Sequence, residues 1–304
     1  MTHADSTLST RHGDRRKPSL FINIIGIIGE LCITIGLVLT LFIVWQVWWT
    51  DIEANREQRA AVEKIQEQFG QVDTTKIAQP QPGPPPDWTK PLAEGETIGV
   101  MRIPAFGLTY AYTIQQGTAL EEILDKGSFG HYVETALPGQ IGNFSTAAHR
   151  QTYGAPMLHV DQLEDGDPIV VEIPDAYLVY RVVGHEIVAP DATWTIAPDP
   201  FQALAAQQNG GSAPGEPTRR LLTITTCHPP FISNERWIVH AEFEYWTKRS
   251  DGIPQPLADP AASGSGAAGV SSPSFDQPSS MPALGEKYFL TDLFADSSAT
   301  KKEM

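Results

Sequence analysis

The hydrophobic pattern of the chain begins with one long apolar run. Residues 20–49 are nearly all hydrophobic, and the stretch from Leu31 to Trp49 contains no charged residue. A helix of this length can cross a hydrocarbon core of roughly 30 Å. A core helix of a soluble domain rarely needs so long a segment that is apolar on every side. The pattern therefore predicts a single transmembrane helix over residues 20–49.

The charges on either side of this run indicate its orientation. Because cytoplasmic flanks are enriched in Lys and Arg, residues 1–19 are expected in the cytoplasm and the rest of the chain outside it. A cleavable signal peptide is the alternative, but its apolar region would be shorter, and no small-residue cleavage site follows Trp49. We therefore expect a retained signal-anchor. The flanking charges are Arg11, Arg15, Arg16 and Lys17 before the run, and Asp51 and Glu53 after it.

A polar helix and a proline-rich segment follow the apolar run. Residues 51–69, "DIEANREQRAAVEKIQEQF", have the composition of a helix that ends at Gly70. The segment "AQPQPGPPPDWTKP" then favours a polyproline-like conformation, which acts as a semi-rigid spacer. We assign residues 50–94 to this polar helix and to a linker that separates the next domain from the membrane.

Residues 95–248 have the pattern of a β-rich domain. A capping box at Thr118 and Glu121 predicts one short helix, "ALEEILDK", which ends at Gly127. Short strands with few helices indicate an antiparallel barrel or sandwich. Residues 249–304 include a long stretch rich in Gly, Ala, Ser and Pro and are expected to be disordered. The strand-like runs are "IVVEI" (169–173), "YLVYRVVGHEIV" (177–188), "RLLTITTC" (220–227) and "RWIVHAEFEYW" (236–246).

The net charge of the chain limits the kinds of macromolecule that it can bind. The chain of 304 residues has 36 acidic and 21 basic residues, which gives a formal net charge of −15. A nucleic-acid partner requires a basic surface to neutralise its phosphates, so this balance disfavours nucleic-acid binding. It indicates instead a domain that is soluble outside the membrane.

The two cysteines raise a chemical question. Cys32 lies in the apolar run, so Cys227 is the only cysteine of the predicted extracytoplasmic part and has no disulfide partner there. An unpaired thiol in an exported protein is either a small buried hydrophobe or a reactive group. Cys227 ends the run "LLTITTC", on the face opposite to Leu222 and Ile224, and two prolines soon stop that strand. A strand end on the more polar face is an unfavourable position for a core cysteine.

Two further side chains are candidates for the same end of the sheet. Arg236 begins the next strand, and an antiparallel pair brings the end of one strand beside the start of the next. An arginine there favours a thiolate and can stabilise an oxyanion, although a single strand-end arginine is more often a solvated charge. His149 follows the glycine-rich turn and the small and β-branched residues of "GQIGNFSTAAHR", so it also stands at a strand end.

The other histidines are weaker candidates for a base. His228 adjoins Cys227, but neighbouring side chains in an extended chain point apart. A metal site built on these two residues lacks a four-ligand spacing. The remaining histidines are the cytoplasmic His3 and His12, and His131, His159, His185 and His240 in or beside strand-like runs, where histidine is more often a core or surface residue.

Three segments of the chain resemble the sortases, which are cysteine transpeptidases of Gram-positive cell surfaces. The segments are "GVMRIPAFGLTYAYTIQQGT", "GHYVETALPGQIGNFSTAAHR" and "LLTITTCHPPFISNERWIV". Together they are similar to the class E sortases of high-GC Gram-positive bacteria, and the Cys-His-Pro that begins at Cys227 most suggests that class. The resemblance covers about residues 95–246. It implies an all-β-dominated, closed barrel of about eight strands with short helices, preceded here by the single N-terminal transmembrane helix.

The resemblance assigns roles to four residues. Cys227 matches the nucleophile, and His149 matches the histidine that pairs with the thiolate or protonates the leaving amine. Arg236 matches the arginine that binds the substrate backbone and the tetrahedral oxyanion. Thr226 matches a threonine that assists that oxyanion. The residue before the histidine is often glycine in relatives and is Ala148 here, a small change that we expect the site to tolerate.

The resemblance also implies an activity and partners. A class E sortase would cleave an LPxTG- or LAxTG-type C-terminal sorting signal of a surface-protein precursor between Thr and Gly, through a thioacyl-enzyme. It would then join that protein to the stem-peptide amine of a lipid-linked peptidoglycan precursor at the membrane. No cofactor and no metal are expected.

Two alternatives remain open from the sequence. A pilin-polymerising sortase uses a lysine of another pilin as its acceptor and often carries an aspartate–aromatic lid over the groove, which Asp87 and Trp88 would have to supply. A catalytically inactive sortase-fold adaptor would keep the barrel without a reactive thiol.

Overall fold

The computed structural model describes residues 20–88, 91–210 and 213–258. The predicted cytoplasmic segment 1–19 and residues 259–304 of the predicted disordered tail lie outside the described residues.

The centre of the protein is a β-barrel of eight strands. Their bounds are β1 Thr97–Arg102, β2 Tyr112–Gln116, β3 Phe129–His131, β4 Gly142–Ala147, β5 Pro168–Ile173, β6 Ala176–Val188, β7 Arg220–His228 and β8 Glu235–Lys248. The strands close in the order β1-β2-β3-β4-β7-β8-β6-β5. The β2–β3 and β4–β7 pairs are parallel, and the other neighbours are antiparallel. This architecture confirms the predicted closed barrel.

The alternation of residues along β7 explains how the barrel is filled. Leu222 and Ile224 are fully buried and belong to the main hydrophobic cluster. The intervening Thr223 and Thr225 point to the other face, and they are also buried, at 0% and 7% exposure. The Thr223 hydroxyl donates a hydrogen bond to Asn143 Oδ1 at 2.9 Å. The second face of β7 is therefore polar, as predicted, but it is covered rather than solvated.

The segment between β2 and β3 departs from the predicted helix. Residues 118–127 form turns and one 3₁₀ turn, Leu124–Lys126, instead of a regular α-helix. Gly127 ends the turn in the left-handed conformation with φ 78°, as expected for a helix-terminating glycine. Because β2 and β3 are parallel, this short connection must return across the barrel, and few residues remain for a helix.

One helix, α2, Pro200–Gln208, was not predicted from the sequence. Asp199 is its N-cap and accepts a hydrogen bond from the Gln202 backbone N–H, while Pro200 occupies the first helical position. This Asp-Pro pair is a recognisable helix start. Phe201 packs on His240 of β8, with ring centroids 5.2 Å apart.

The N-terminal helix α1, Leu20–Phe69, is one continuous helix of 50 residues. It contains a segment, Ile24–Ile43, that is long and apolar enough to cross a membrane, and none of that segment is buried against protein. The predicted polar helix is the second half of the same rod, and it is docked on the barrel. It ends before Gly70, whose φ is 87°. The docked face consists of Ala54, Gln58, Val62 and Ile65.

The proline-rich segment differs from the predicted spacer because it packs on the barrel. Ile77 forms a parallel bridge with Ile253. The Gln81 backbone N–H donates to the Trp246 carbonyl at 2.9 Å, and Trp88 Nε1 donates to the Pro138 carbonyl at 2.9 Å. We call residues 77–88 the strap. These bonds fix the strap to the barrel surface.

The folded part of the chain continues past the predicted boundary at residue 248. Residues 249–258 contain two 3₁₀ turns, Arg249–Asp251 and Gln255–Leu257. Arg249 is 5% exposed and donates from Nε to Glu172 Oε1 at 3.0 Å. The first ten residues of the predicted tail therefore belong to the barrel domain.

Candidate active site

The strand order brings three chain segments to one end of the barrel. β4 and β7 are parallel neighbours, so both end at the same rim, and the antiparallel β8 begins there. We call this end the Cys227 rim and the opposite end the distal rim. In the β7–β8 register Cys227 lies directly opposite Arg236. The predicted juxtaposition of these two strand ends is therefore present in the backbone.

Cys227 is the next-to-last residue of β7 and carries a free, half-buried thiol. The residues before it, Thr225 and Thr226, are buried, whereas Pro230 after it is exposed. Cys227 therefore lies where the buried part of β7 gives way to the exposed loop.

His149 is held beside the end of β7 by backbone bonding. The Ala148 backbone N–H donates to the Thr225 carbonyl at 3.1 Å, which extends the β4–β7 pairing to the residue before the histidine. The imidazole Nε2 lies 2.8 Å from Asp125 Oδ1, and the ring stacks on Tyr153 with centroids 5.4 Å apart. The ring is thus oriented by a carboxylate on one side and an aromatic face on the other.

Asp125 is a residue that sequence reasoning missed. It lies in the 3₁₀ turn before β3, and its side chain is 18% exposed. In the predicted helix it was one of several acidic residues without a distinguishing pattern. Only the turn geometry brings it to His149, 24 positions further along the chain.

Arg236 directs part of its guanidinium into the β7–β8 loop. Its Nη1 donates to the carbonyl oxygens of Ser233, at 2.9 Å, and Glu235, at 2.8 Å. A guanidinium carries five N–H donors in a fixed planar arrangement. These two bonds use one nitrogen and orient the group, while its other N–H donors point in other directions. This arrangement can hold the guanidinium at the mouth of the barrel.

Thr226 supports the histidine strand in this conformation. Its side chain is buried, and its hydroxyl donates to the Ala148 carbonyl at 2.7 Å. The bond links the residue before the thiol to the residue before the imidazole. A role in binding an oxyanion would require the hydroxyl proton to change partner.

The residues that follow His149 and Cys227 in the chain, Arg150 and His228, contact each other. Arg150 is 6% exposed, and its Nη1 lies 2.6 Å from His228 Nδ1. Its guanidinium also lies over the Trp237 ring, 5.0 Å from the centroid. Burial, and then the charge of Arg150, lower the pKa of His228. The histidine next to Cys227 is therefore disfavoured as a cation and serves as a partner of Arg150.

Three of the other predicted core or surface histidines have structural contacts within the barrel. Burial lowers the pKa of His131, in β3, to about 4. His240 is bonded to Thr223, and His185 stacks on Trp237. Within the described ranges 20–88, 91–210 and 213–258, no group of three His, Cys, Asp or Glu side chains is arranged to hold a metal ion.

Comparisons with known proteins identify the family. The sortase-domain profile matches residues 101–244. Sortase SrtE1 of Streptomyces coelicolor is 32% identical over 253 residues, 81% of this chain and 65% of its own length. Sortase SrtE2 of the same organism is 30% identical over 263 residues, 84% of this chain and 95% of its own length. This chain thus spans slightly less than two thirds of the first relative and nearly all of the second.

A solved structure agrees with these matches. The SrtA sortase from Actinomyces oris has 38% sequence identity and a TM-score of 0.51, and the alignment covers 59% of this chain and 96% of that one. The closed barrel and the sequence matches together assign the chain to the sortase family, whose members are transpeptidases. Its curated relatives are class E sortases, which confirms the class predicted from the motifs.

Proposed function

We propose that this chain is a membrane-anchored cysteine transpeptidase of the cell surface. Cys227 is the nucleophile, His149 donates and accepts the proton, and Arg236 holds the substrate backbone and the developing oxyanion. The substrate is a surface-protein precursor with an LPxTG- or LAxTG-type C-terminal signal. The acceptor is an amine of a lipid-linked cell-wall precursor.

The observation that carries this proposal is the convergence of three strand ends at the Cys227 rim. Cys227 opposes Arg236 in the β7–β8 register, and the Ala148–Thr225 backbone bond holds the strand that leads into His149. A thiol, an imidazole and a fixed cation are the groups that covalent acyl transfer by cysteine uses. Their common location supports one shared site.

The proposed chemistry has two steps. The Cys227 thiolate attacks the Thr carbonyl carbon of the signal, the Thr–Gly C–N bond breaks, and the His149 imidazolium gives its proton to the departing glycine amine. The acceptor amine then attacks the thioester and passes a proton to the imidazole. The C–S bond breaks, and the thiolate is restored. Splitting one difficult acyl transfer in this way gives two easier steps.

The apolar half of α1 supports membrane anchoring. Ile24–Ile43 meets the length and composition of a membrane span, and the flanking charges favour a cytoplasmic N-terminus with the barrel outside. Anchoring raises the effective concentration of two substrates that are themselves attached to the membrane. This is the physical advantage of attaching the enzyme there.

The contacts of the strap weigh against the pilin-polymerising alternative. Trp88 donates to the carbonyl of Pro138, which precedes β4 and therefore lies at the distal rim. A lid would have to cover Cys227 at the opposite end. Asp87 and Trp88 consequently fit a packing role rather than a lid.

The experiment is peptide cleavage by the purified full chain in detergent. Fluorogenic LAxTG and LPxTG peptides are offered with and without a diaminopimelate-type amine, and products are identified by mass spectrometry. We expect Cys227→Ala to abolish cleavage, and we expect His149→Ala and Arg236→Ala to lower kcat/KM by about 10³-fold each. Cys32→Ala, which removes the other thiol, is the matched control and should keep full activity.

Thiol labelling separates the enzyme from an inactive adaptor. In the Cys32→Ala background, iodoacetamide should add one adduct, at Cys227, and a thioester of the expected mass should accumulate when no amine is present. Cleavage that persists in Cys227→Ala would refute the assigned nucleophile. A parent protein that binds the peptide but neither cleaves it nor reacts would indicate the adaptor.

A further inference from the structure

The two halves of α1 have different surroundings but share one axis. The side chains of Ile24–Ile43 are exposed, whereas Ala54, Gln58, Val62 and Ile65 are buried against the barrel. The helix is continuous over Leu20–Phe69, and an α-helix is a rod that rises about 1.5 Å per residue. The docked half therefore fixes how the barrel is oriented relative to the apolar half.

The docked half begins at the Cys227 rim. Ala54 lies against Gly127 and Gly154. Gly127 ends the turn that contains Asp125, and Gly154 directly follows Tyr153. Asn55 Oδ1 accepts a hydrogen bond from the hydroxyl of Tyr112 at 2.8 Å. Tyr112 is the first residue of β2, and β2 begins at the rim where β4 ends. The start of the docked half is thus next to the residues that orient His149.

The docked half ends at the distal rim. The carbonyl of Phe69 accepts a hydrogen bond from Arg249 Nη1 at 2.6 Å, and Arg249 directly follows Lys248, the last residue of β8. Because α1 runs from the Cys227 rim to the distal rim, its apolar half leaves the barrel on the side of the Cys227 rim. A membrane around Ile24–Ile43 would lie on that same side.

The length of the connecting helix sets the separation. Ile43 ends the apolar segment and Ala54 begins the docked face, so the connection of about eleven residues is about 16 Å long. The headgroup region of one leaflet takes up roughly 5–8 Å of that distance. The Cys227 rim therefore stands about 10 Å above the headgroups, which is about the length of three extended residues.

The loop between β7 and β8 presents large apolar side chains on this rim. Phe231 is 78% exposed and Ile232 is 68% exposed. The loop is held from both sides of Ser233, whose hydroxyl accepts from Gln151 Nε2 at 3.1 Å and whose carbonyl accepts from Arg236 Nη1 at 2.9 Å. Phe231 has a φ of 65°, which turns the chain at the loop tip. An ordered loop that exposes an aromatic and an aliphatic side chain matches the chemistry of a membrane interface.

We propose that the Cys227 rim faces the bilayer and that Phe231 and Ile232 contact the lipid headgroup region. The proposal rests on the membrane anchoring put forward above. Its consequence is that the mouth of the site is turned toward the surface from which lipid-linked amines and membrane-held peptide tails emerge.

Depth-dependent quenching tests this orientation. The full chain with Cys32→Ala and Cys227→Ala receives a single cysteine by Phe231→Cys, is labelled with an environment-sensitive fluorophore, and is incorporated into phosphatidylcholine–phosphatidylglycerol nanodiscs that contain headgroup-nitroxide lipid. The matched control is Ile141→Cys in the same background, because Ile141 is 51% exposed and adjoins the start of β4 at the distal rim. Quenching at 231 should exceed quenching at 141 several-fold, with a blue-shifted emission at 231. Equal quenching, or stronger quenching at 141, would overturn the orientation.

A second variant tests the role of the helix. Ile52→Pro interrupts α1 between its two halves and should bring the two quenching values closer together. An unchanged contrast would show that the continuous helix does not set the orientation. Labelled chains that fail to associate with nanodiscs would overturn the anchoring and this inference together. A parent chain, with Cys227 in place, that does not cleave the peptide while the labelled variants keep the quenching contrast would overturn only the proposed activity.

Discussion

At the residue scale, the pairing of Asp125 with His149 gives a carboxylate a role in positioning the imidazole. The Asp125 side chain is 18% exposed and that of His149 is 20% exposed, so the contact of 2.8 Å is only partly screened by solvent. A carboxylate accepts hydrogen bonds only, whereas an asparagine amide can present either an acceptor or a donor. Substitution by asparagine therefore removes the constraint on which ring nitrogen carries a proton.

We predict that Asp125→Asn lowers kcat for peptide cleavage by about 10- to 100-fold, with little change in KM. The reason is that Asp125 contacts His149, the proposed proton donor, and has no proposed contact with the peptide. Glu121→Gln, in the same segment and exposed, is the control and should retain the parent kcat. Steady-state kinetics on the LAxTG peptide give the result, and an Asp125→Asn enzyme with the parent kcat would contradict the assignment.

His131 makes stability depend on pH. Burial lowers its pKa in the folded state to about 4, whereas the unfolded chain has the ordinary value near 6.5. The unfolded state therefore binds the proton first as the pH falls. The contribution of His131 to the free energy of unfolding is therefore fully present above pH ~6.5. It is lost as the pH falls toward ~4, by up to about 3 kcal/mol.

We predict that His131→Gln flattens this pH dependence between pH 4 and 6.5. The substitution should also cost some stability at pH 7, because His131 lies 2.7 Å from Gln116 Oε1 and packs on Phe144. Urea midpoints of the full chain in detergent, taken at several pH values, measure the slope. His159→Gln, at an exposed position, should keep the parent slope, and an equally steep slope in His131→Gln would refute the prediction.

The candidate site was only partly accessible from the sequence. Cys227, His149 and Arg236 could be nominated because each follows or begins a strand-like run, and their neighbouring strand ends are present in the barrel. Asp125 and Arg150 could not be nominated. Their contacts join segments that are 24 and 78 residues apart and depend on turn geometry and side-chain direction, which hydrophobic periodicity does not encode.

At the scale of elements, α1 combines an apolar N-terminal half with a C-terminal half that packs on the barrel. Its docked face contains small and polar residues, Ala54 and Gln58, beside Val62 and Ile65. For this reason residues 51–69 have the composition of a solvated helix, and the docking was not predicted. The face becomes recognisable only when the buried positions are known to recur every three or four residues.

Gln58 joins α1 to β2 and to the residue before β3, which leads to a prediction. It is 4% exposed, accepts from the backbone N–H and the hydroxyl of Thr113 at 3.0 Å, and donates to Ser128 Oγ at 2.9 Å. Gln58→Leu leaves a buried backbone N–H without its acceptor, so we expect a loss of about 1–3 kcal/mol in the free energy of unfolding. Glu63→Gln, on the exposed side of the same helix, should change it by less than about 0.5 kcal/mol. Urea unfolding measures both variants, and equal midpoints would contradict the structural role.

At the scale of the whole molecule, a buried ion network ties the chain together. Glu172, 0% exposed, accepts from Arg249 Nε through Oε1 at 3.0 Å and from Arg102 Nε through Oε2 at 2.9 Å. Arg249 also donates to the carbonyl of Phe69 at the end of α1. One carboxylate thus links β5, β1, the turn after β8 and the end of the helix.

We predict that Glu172→Gln is strongly destabilising, by about 3–5 kcal/mol, because the buried guanidinium of Arg249 and the partly buried guanidinium of Arg102 lose their counter-charge. The matched control is Glu244→Gln, which breaks the solvent-exposed pair with Arg181 and should cost no more than about 1 kcal/mol. Thermal unfolding of both variants gives the comparison. Similar melting temperatures for the two variants would show that the network contributes little.

The barrel itself was largely predictable, and its attachments were not. The runs that became β5, β6, β7 and β8 are β-branched and bounded by turn residues, so their patterns indicated strands. The strap is the counter-example. Its proline content indicated an extended spacer, yet Gln81 and Trp88 bond to distant parts of the barrel. Local composition determines the conformation of such a segment but not the surface on which it lies.

Closure of the barrel limits how a peptide can be recognised. Every strand in the order β1-β2-β3-β4-β7-β8-β6-β5 has a partner on both sides, so along the paired length of the described barrel no edge is available to which an incoming chain could add as an extra strand. The strand ends without a second partner, such as Gly184–Val188 of β6 beyond β5, lie at the Cys227 rim. Selection among peptides by the proposed transpeptidase must then depend on the strand ends, side chains and loops at the mouth, where residues can change without breaking the ladder. Substitutions that change peptide preference should therefore be found in the loops and strand ends at the mouth, while the paired parts of the barrel strands stay the same.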